Sequence, residues 1–222
     1  MPSYLDLSIW PRRSHFEFFR AYEKPYFNIC AKVDVTRLRE YVGESTDLSF
    51  FLASLYLSTR AANDVESFRY RLRGDRVLVH DVVHIGSTVL LKNDTFGFVY
   101  IEFDSKFASY HHAAREAIEE LSLSQDALNP RDDLDDLIHY SVIPWVSFTS
   151  VAHPRRVLRD DSTPKIVFGK YSLEGDRLVM PVSVEVHHGL MDGIHVGEYF
   201  SRFETYLSEP EKVLGKHSCL KQ

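Results

Sequence analysis

The chain has 222 residues, of which 44% are hydrophobic and 13% aromatic, and its formal net charge is -6. A chain of this length and composition can bury the core of one large domain, and its aromatic content excludes a disordered or low-complexity protein. The basic residues are scattered along the chain. Nucleic acid is therefore excluded as a partner, because phosphate binding requires a concentrated basic surface.

The sequence also constrains location. No apolar run approaches the roughly 20 residues that span a bilayer, so no membrane partner is predicted. Charged residues interrupt residues 1–12 too early for this segment to contain the apolar core of a signal peptide. Cys30 and Cys219 are too few for a disulfide framework, and a reducing cytoplasm is the predicted location. We expect a single domain over residues 1–222, with an ordered core over 1–210 and a polar tail at 211–222.

The first part of the chain predicts helices around one strand. An aromatic cluster between charges indicates a helix over 14–22, and an apolar run indicates a strand over 26–33. A short helix then ends at Gly43. A longer, buried helix is predicted from a cap at Asp47 to Ala62.

The pattern then changes from helical to alternating. Residues 68–79 alternate apolar side chains with arginines around a turn at Gly74-Asp75, which predicts a hairpin whose arginines lie on a solvated face. The next elements are two strands and a helix, at residues 85–91, 96–103 and 107–121.

The C-terminal part predicts more strands and a closing helix. A polar loop over 122–136 precedes a long strand over 138–151. A hairpin over 165–186 turns at residues 174–176, and a helix with one apolar stripe covers 193–207. This order predicts an α+β fold, a two-layer sandwich of a mixed or antiparallel sheet with helices.

The segment from Ser183 to Gly193 runs from a strand through a turn into a helix. If the alternation continues to its end, His188 falls on the same side as three alternate valines, in a dry setting where a neutral imidazole can accept a proton. Gly189 and Gly193 let the chain turn and keep side chains away from a bound ligand. A catalytic base is the preferred interpretation of His188.

Two other interpretations of the tandem histidines remain. A metal site is one, since His195 lies nearby, but adjacent strand residues such as His187 and His188 point to opposite faces and the usual zinc spacing is missing. A purely structural pair is the other. No metal is predicted.

The pattern His-His-x-x-x-Asp-Gly at residues 187–193 resembles the signature of the chloramphenicol acetyltransferase family. Three further blocks resemble the same family in matching order and spacing: residues 10–20, 141–148 and 174–186. Because the blocks cover nearly the whole chain, the resemblance implies the chloramphenicol acetyltransferase-like fold and an acyltransferase that uses acetyl-CoA as cosubstrate.

The resemblance also implies roles for four residues. His188 would take the proton from an acceptor hydroxyl, which attacks acetyl-CoA directly in a ternary complex. Ser141 would donate to the oxyanion, and Asp192 would pair with Arg12 to support the site. Without the resemblance, Ser141 could be an ordinary strand serine, and the two charged residues could lie on the solvated surface.

A homotrimer with its sites at the subunit interfaces is the assembly that the family implies, with coenzyme A and a small hydroxylated acceptor as partners. Trp145 is expected to pack in the core or to form a wall for the coenzyme. The other predicted substrate-binding residues are Phe18, Phe19, His153 and Val167.

Three of these residues depart from the family pattern. Phe19 replaces a tyrosine, His153 a leucine and Val167 a threonine. A pocket that loses hydrogen-bond partners for its ligand binds that ligand less tightly. Two alternatives for the substrate therefore stay open: chloramphenicol, or a different hydroxylated acceptor.

Three other classes of protein share features with this sequence. A dihydrolipoamide acyltransferase core has a related motif, but this chain shows no lipoyl module or flexible linker. A condensation domain needs about twice this length. A non-catalytic ligand-binding homologue remains an alternative.

Overall fold

A computed structural model describes residues 2–124, 127–131, 133–155 and 161–215. Its helices are α1 (Arg13–Phe19), α2 (Thr36–Gly43), α3 (Phe50–Asn63), α4 (Phe107–Leu123), α5 (Gly193–Ser208) and α6 (Pro210–Leu214). Its strands are β1 (Ser3–Tyr4), β2 (Tyr26–Asp34), β3 (Tyr70–Arg73), β4 (Arg76–Val79), β5 (His84–Leu90), β6 (Phe96–Ile101), β7 (Leu137–Ile143), β8 (Lys165–Gly169), β9 (Ser172–Glu174) and β10 (Arg177–His187).

The main sheet is mixed, as predicted. Its strand order is β2-β10-β8-β7-β5-β6, with β9 paired to β10. The pairs β5–β7 and β7–β8 are parallel, whereas β10 is antiparallel to β2, β8 and β9. A small antiparallel sheet, in the order β1-β4-β3, lies beside it. Within the described ranges, no helix combines the length and the apolar character needed to cross a membrane.

Helices cover the first face of the main sheet. Alternate residues of β10, Val182, Val184 and Val186, are fully buried there, and α3 and α5 pack against the same core. The apolar stripe of α5 is buried at Val196, Tyr199, Phe203 and Leu207. The α+β sandwich predicted from the order of the elements is confirmed, because each element buries its apolar face in one shared core.

The second face of the sheet is crossed by residues 144–155. The predicted strand over 138–151 is wrong in its second half, since β7 ends at Ile143. Pro144 follows and has no N–H for the ladder, so the chain leaves the sheet there. Phe148 then packs closely over Gly169, where an added Cβ would lie 2.8 Å from the Phe148 ring.

The predicted hairpin around Gly74 forms, but the expectation of solvated arginines is wrong for Arg71. Its side chain is 1% exposed. The guanidinium donates to four backbone carbonyls, those of Phe68, Tyr70, Asp135 and Leu137. The arginine is buried because it joins the hairpin to the segment leading into β7.

Two predicted boundaries also shift. The Oγ of Ser49, not the side chain of Asp47, accepts the N–H of Leu52 at 3.4 Å and caps α3. Helix α6 continues the packed chain to Leu214, which is buried, beyond the predicted boundary at 210. Cys30 is a free thiol, and Cys219 lies outside the described residues.

Candidate active site

His188 lies just after β10 and is clamped between two aromatic rings. Its imidazole stacks on Phe19, with ring centroids 3.8 Å apart and planes 11° from parallel. On the other side, its ring centroid lies 4.7 Å from that of Phe27. Phe27 pairs in register with Val186, so His188 lies on the valine side, as the alternation predicts. The setting is less dry than expected, because the side chain of His188 is 33% exposed in the single chain.

The backbone of His188 is fixed at both of its polar atoms. Its N–H donates to the carbonyl of Pro25 at 2.7 Å. Its own carbonyl accepts from Nη2 of Arg12 at 3.0 Å. With main chain and ring both held, the imidazole has little freedom to turn away from the position where it would meet an acceptor.

Arg12 also forms an ion pair with Asp192, the pairing that the family resemblance implies. Oδ1 of Asp192 lies 3.1 Å from Nδ1 of His188, but the two groups are not aligned for a hydrogen bond and Nδ1 is buried without a partner among the described residues. Asp192 is therefore held mainly by Arg12. Burial lowers the pKa of Arg12.

His195 adds a contact that the sequence analysis did not assign. Its Nδ1 accepts the backbone N–H of Asp192 at 2.9 Å, at the start of α5. Burial lowers the pKa of His195, which keeps Nδ1 available as an acceptor. The signal for this contact was present in the sequence, because the third residue after an N-cap commonly bonds back to it.

His187 has different surroundings from His188. It is 2% exposed, and its ring meets Tyr26 edge-on at 5.6 Å. Burial lowers its pKa to about 4, and the charge of Arg155 adds to the effect. Among the described residues, no three histidine, cysteine or acidic side chains are grouped as metal ligands would be.

Gly189 leaves room for the ring of His187. Its N–H donates to Nδ1 of His187 at 3.1 Å, and an added Cβ would lie 2.9 Å from the same ring. At Gly193 a Cβ would meet no described atom within 4 Å. The glycine after the tandem histidines therefore allows the His187 ring to fold back onto the turn.

Ser141 lies on the second face of the sheet, away from His188. It pairs with Val167, which pairs with Ser183, so these residues form one row across β7, β8 and β10. His188 is five residues beyond Ser183 and two strands away from Ser141, a separation of roughly 20 Å. The two predicted catalytic groups are therefore not brought together within one chain.

The predicted substrate-binding residues divide between these two places. Phe18 is exposed and packs edge-on against Phe19, beside His188. Val167 is buried in the row with Ser141, and His153 is half-buried in the segment that crosses the second face. Trp145 is 63% exposed, so the expected core packing is wrong. It follows Pro144, at the point where the chain leaves the sheet.

Comparison with known proteins decides the family. The family model described as chloramphenicol acetyltransferase matches residues 3–204. The chain belongs to the chloramphenicol acetyltransferase family. Chloramphenicol acetyltransferase 3 of Escherichia coli is 30% identical over 90% of this chain and 93% of its own length. The chloramphenicol acetyltransferase of Streptomyces acrimycini is 31% identical over 94% of this chain and 96% of its own length.

Solved structures agree with this assignment to the chloramphenicol acetyltransferase family. One chloramphenicol acetyltransferase superposes with a TM-score of 0.87 at 28% identity, covering 93% of this chain and all of its own. A dihydrolipoamide acetyltransferase of Azotobacter vinelandii superposes with a TM-score of 0.66 at 18% identity, covering 90% of this chain and 88% of its own. The second likeness shows that the fold is shared with a different group of acetyltransferases.

Proposed function

We propose that this chain transfers an acetyl group from acetyl-CoA to a hydroxyl of a small molecule, with His188 as the general base. The observation that carries the proposal is the fixed imidazole of His188, which is stacked on Phe19 while Arg12 holds its backbone carbonyl. A base held in one orientation can take the hydroxyl proton as the oxygen attacks the thioester. Ser141 donates to the oxyanion that forms on the acetyl carbonyl.

The separation of Ser141 from His188 supports a site shared between two copies of the chain. One group lies in the row on the second face of the sheet, and the other lies beyond the end of β10. A neighbouring copy that presents its His188 to the row of Ser141 would complete the site. A cyclic homotrimer supplies such an interface three times.

The remaining roles follow from the same arrangement. Arg12 and Asp192 hold the turn that carries His188, and Trp145 is available on the surface as a wall for the coenzyme. The chemistry assigned to these side chains needs no metal. We place the enzyme in the cytoplasm, on the basis of its few cysteines.

The test is the release of free CoA thiol from acetyl-CoA with hydroxylated acceptors that include chloramphenicol. Substituting His188→Ala should lower kcat by about 10² to 10⁴, and Ser141→Ala by about 10² to 10³ with little change in KM. His112→Ala is the matched control, because His112 is exposed on α4, where its Nε2 lies 3.3 Å from Glu116. Equal turnover by wild type and His188→Ala would overturn the proposal.

A further inference from the structure

Asp192 is fixed by its main chain, and both of its backbone polar atoms bond to His195. The N–H of Asp192 donates to Nδ1 of the His195 imidazole at 2.9 Å. The carbonyl of Asp192 accepts the backbone N–H of His195 at 3.0 Å. The second bond belongs to the first turn of α5 and does not depend on the side chain. The first bond exists only because residue 195 carries a side-chain acceptor.

The carboxylate of Asp192 extends this connection to the predicted base. It forms an ion pair with Arg12, whose side chain is 14% exposed and therefore shielded from water. Nη2 of Arg12 in turn donates to the backbone carbonyl of His188 at 3.0 Å. These four residues form one continuous path of polar contacts. The path begins at a side chain on α5 and ends at the main chain that carries the imidazole of His188.

The rest of the turn is packed independently of the Nδ1 bond. Leu190, Met191 and Val196 are at most 1% exposed, so the main chain on both sides of Asp192 is anchored in the protein. Asp192 itself is extended, with φ -120° and ψ 178°, and precedes the first helical residue. Without the imidazole of His195 its N–H would lose this acceptor, and an unpaired polar group favours a shift towards water. Such a shift would displace the carboxylate from Arg12.

The imidazole of His195 is kept in the form that this contact requires. Burial, and to a smaller degree the charge of Arg12, lowers its pKa, whereas the charge of Glu198 acts in the opposite direction. A neutral imidazole can offer a lone pair at Nδ1, but an imidazolium carries hydrogens on both nitrogens and cannot accept. Arg12 therefore favours the neutral state of the residue that supports its own partner.

We propose that His195 is a positioning residue for the transfer reaction: through Asp192 and Arg12, it holds the main chain of His188 in the orientation that the base requires. The inference rests on the proposed function, because it takes His188 as the general base. It deepens that function by adding a residue that acts on the base through two others.

Substituting His195→Ala should lower kcat between about tenfold and 10²-fold, because a small displacement of a catalytic group has an effect of this size. KM should change little, since the path ends at the base and not at a bound ligand. His195→Gln should keep kcat within about threefold of wild type, because glutamine at the third helical position can accept the N–H of the N-cap residue. Both constants come from CoA thiol release with chloramphenicol, and with the most active other hydroxylated acceptor if chloramphenicol is not turned over.

Two further variants separate positioning from a general loss of stability. Ser49→Ala is the matched control, because Oγ of Ser49 accepts the N–H of Leu52 and caps α3. It should lower the thermal midpoint comparably and leave kcat within about twofold of wild type. His195→Leu removes the acceptor while filling more of the space than alanine, and it replaces His195→Ala in the comparison if the alanine variant does not fold.

The path through Arg12 is tested in an Arg12→Met background. There His195→Ala should lower kcat by less than about twofold, because residues that act through one path are not additive. A full loss in that background overturns the inference. So does wild-type kcat in His195→Ala, failure of His195→Gln to exceed His195→Ala, or an equal loss in Ser49→Ala, and in each case the proposed function stands. Absence of thiol release by the wild type with every acceptor overturns both.

Discussion

At the residue scale, the two adjacent histidines differ because their surroundings differ. The ring of His188 is partly open and stacks on Phe19, whereas that of His187 is buried against Tyr26 and Gly189. Of the two rings, only that of His188 is open to solvent. The second helps to shape the turn, through the N–H of Gly189 that it accepts.

Burial of His187 predicts a specific pH dependence of stability. Its pKa is about 4 in the folded chain, with 6.5 as the ordinary value, because desolvation and the charges of Arg155 and His188 disfavour the imidazolium, partly offset by Asp161. The unfolded chain therefore binds the proton more readily between these values. The contribution of neutral His187 to the free energy of unfolding is therefore complete above about pH 6.5. It is lost as the pH falls towards 4, and the total loss is on the order of 3 kcal/mol.

Urea unfolding of wild type and His187→Asn at several pH values between 4 and 7.5 measures this effect. Asparagine can still accept the N–H of Gly189 but does not titrate, so the difference between the two pH profiles isolates the imidazole. We expect the free energy of unfolding to fall more steeply with acid in wild type. Parallel profiles would show that His187 does not carry the effect.

At the element scale, the hairpin of β3 and β4 is joined to the main sheet by one buried cation. Arg71 donates to carbonyls on both sides of this junction. The four carbonyls share the charge of the guanidinium by hydrogen bonding. The hairpin should therefore depend on this arginine far more than on the exposed arginines beside it.

Arg71→Met should lower the free energy of unfolding by at least about 3 kcal/mol, because several buried carbonyls lose their donor. Arg71→Lys should lie between wild type and Arg71→Met, since a lysine ammonium cannot span the same set of carbonyls. Urea unfolding measures both. Arg202→Met, which removes an exposed pair with Glu198, should cost less than about 1 kcal/mol. Equal losses for Arg71→Met and Arg202→Met would contradict the role of the buried cation.

At the scale of the whole molecule, the distance between Ser141 and His188 predicts that assembly is part of the chemistry. If each site takes Ser141 from one chain and His188 from another, two inactive variants should complement each other. Coexpression of Ser141→Ala with His188→Ala should restore activity to about a quarter of the sites when subunits mix at random.

Thiol release by the mixed preparation, compared with each variant purified alone, measures this complementation. A second mixture, of His188→Ala with the double variant Ser141→Ala/His188→Ala, is the control and should stay inactive, because it contains no His188. Failure of the first mixture to exceed the mean activity of the two variants purified alone, with mixed oligomers present, would mean that the site lies within one chain.

Much of the fold could be predicted from the sequence because the signals are local. The alternation through β10, the turn at Gly74 and the apolar stripe of α5 each reflect periodicity over a few residues. The same holds for the motif at residues 187–193, whose residues are neighbours in the chain.

The burial of Arg71, the exposure of Trp145 and the separation of Ser141 from His188 depend instead on which distant segments meet. The ion pair of Arg155 is of the same kind, because its partner Glu185 lies 30 residues further along the chain. The sequence by itself therefore determined the family and the sheet-and-helix architecture, and it predicts His188 as the base. Only the tertiary structure decided which of these side chains are buried or paired, because packing between remote segments sets burial and charge pairing.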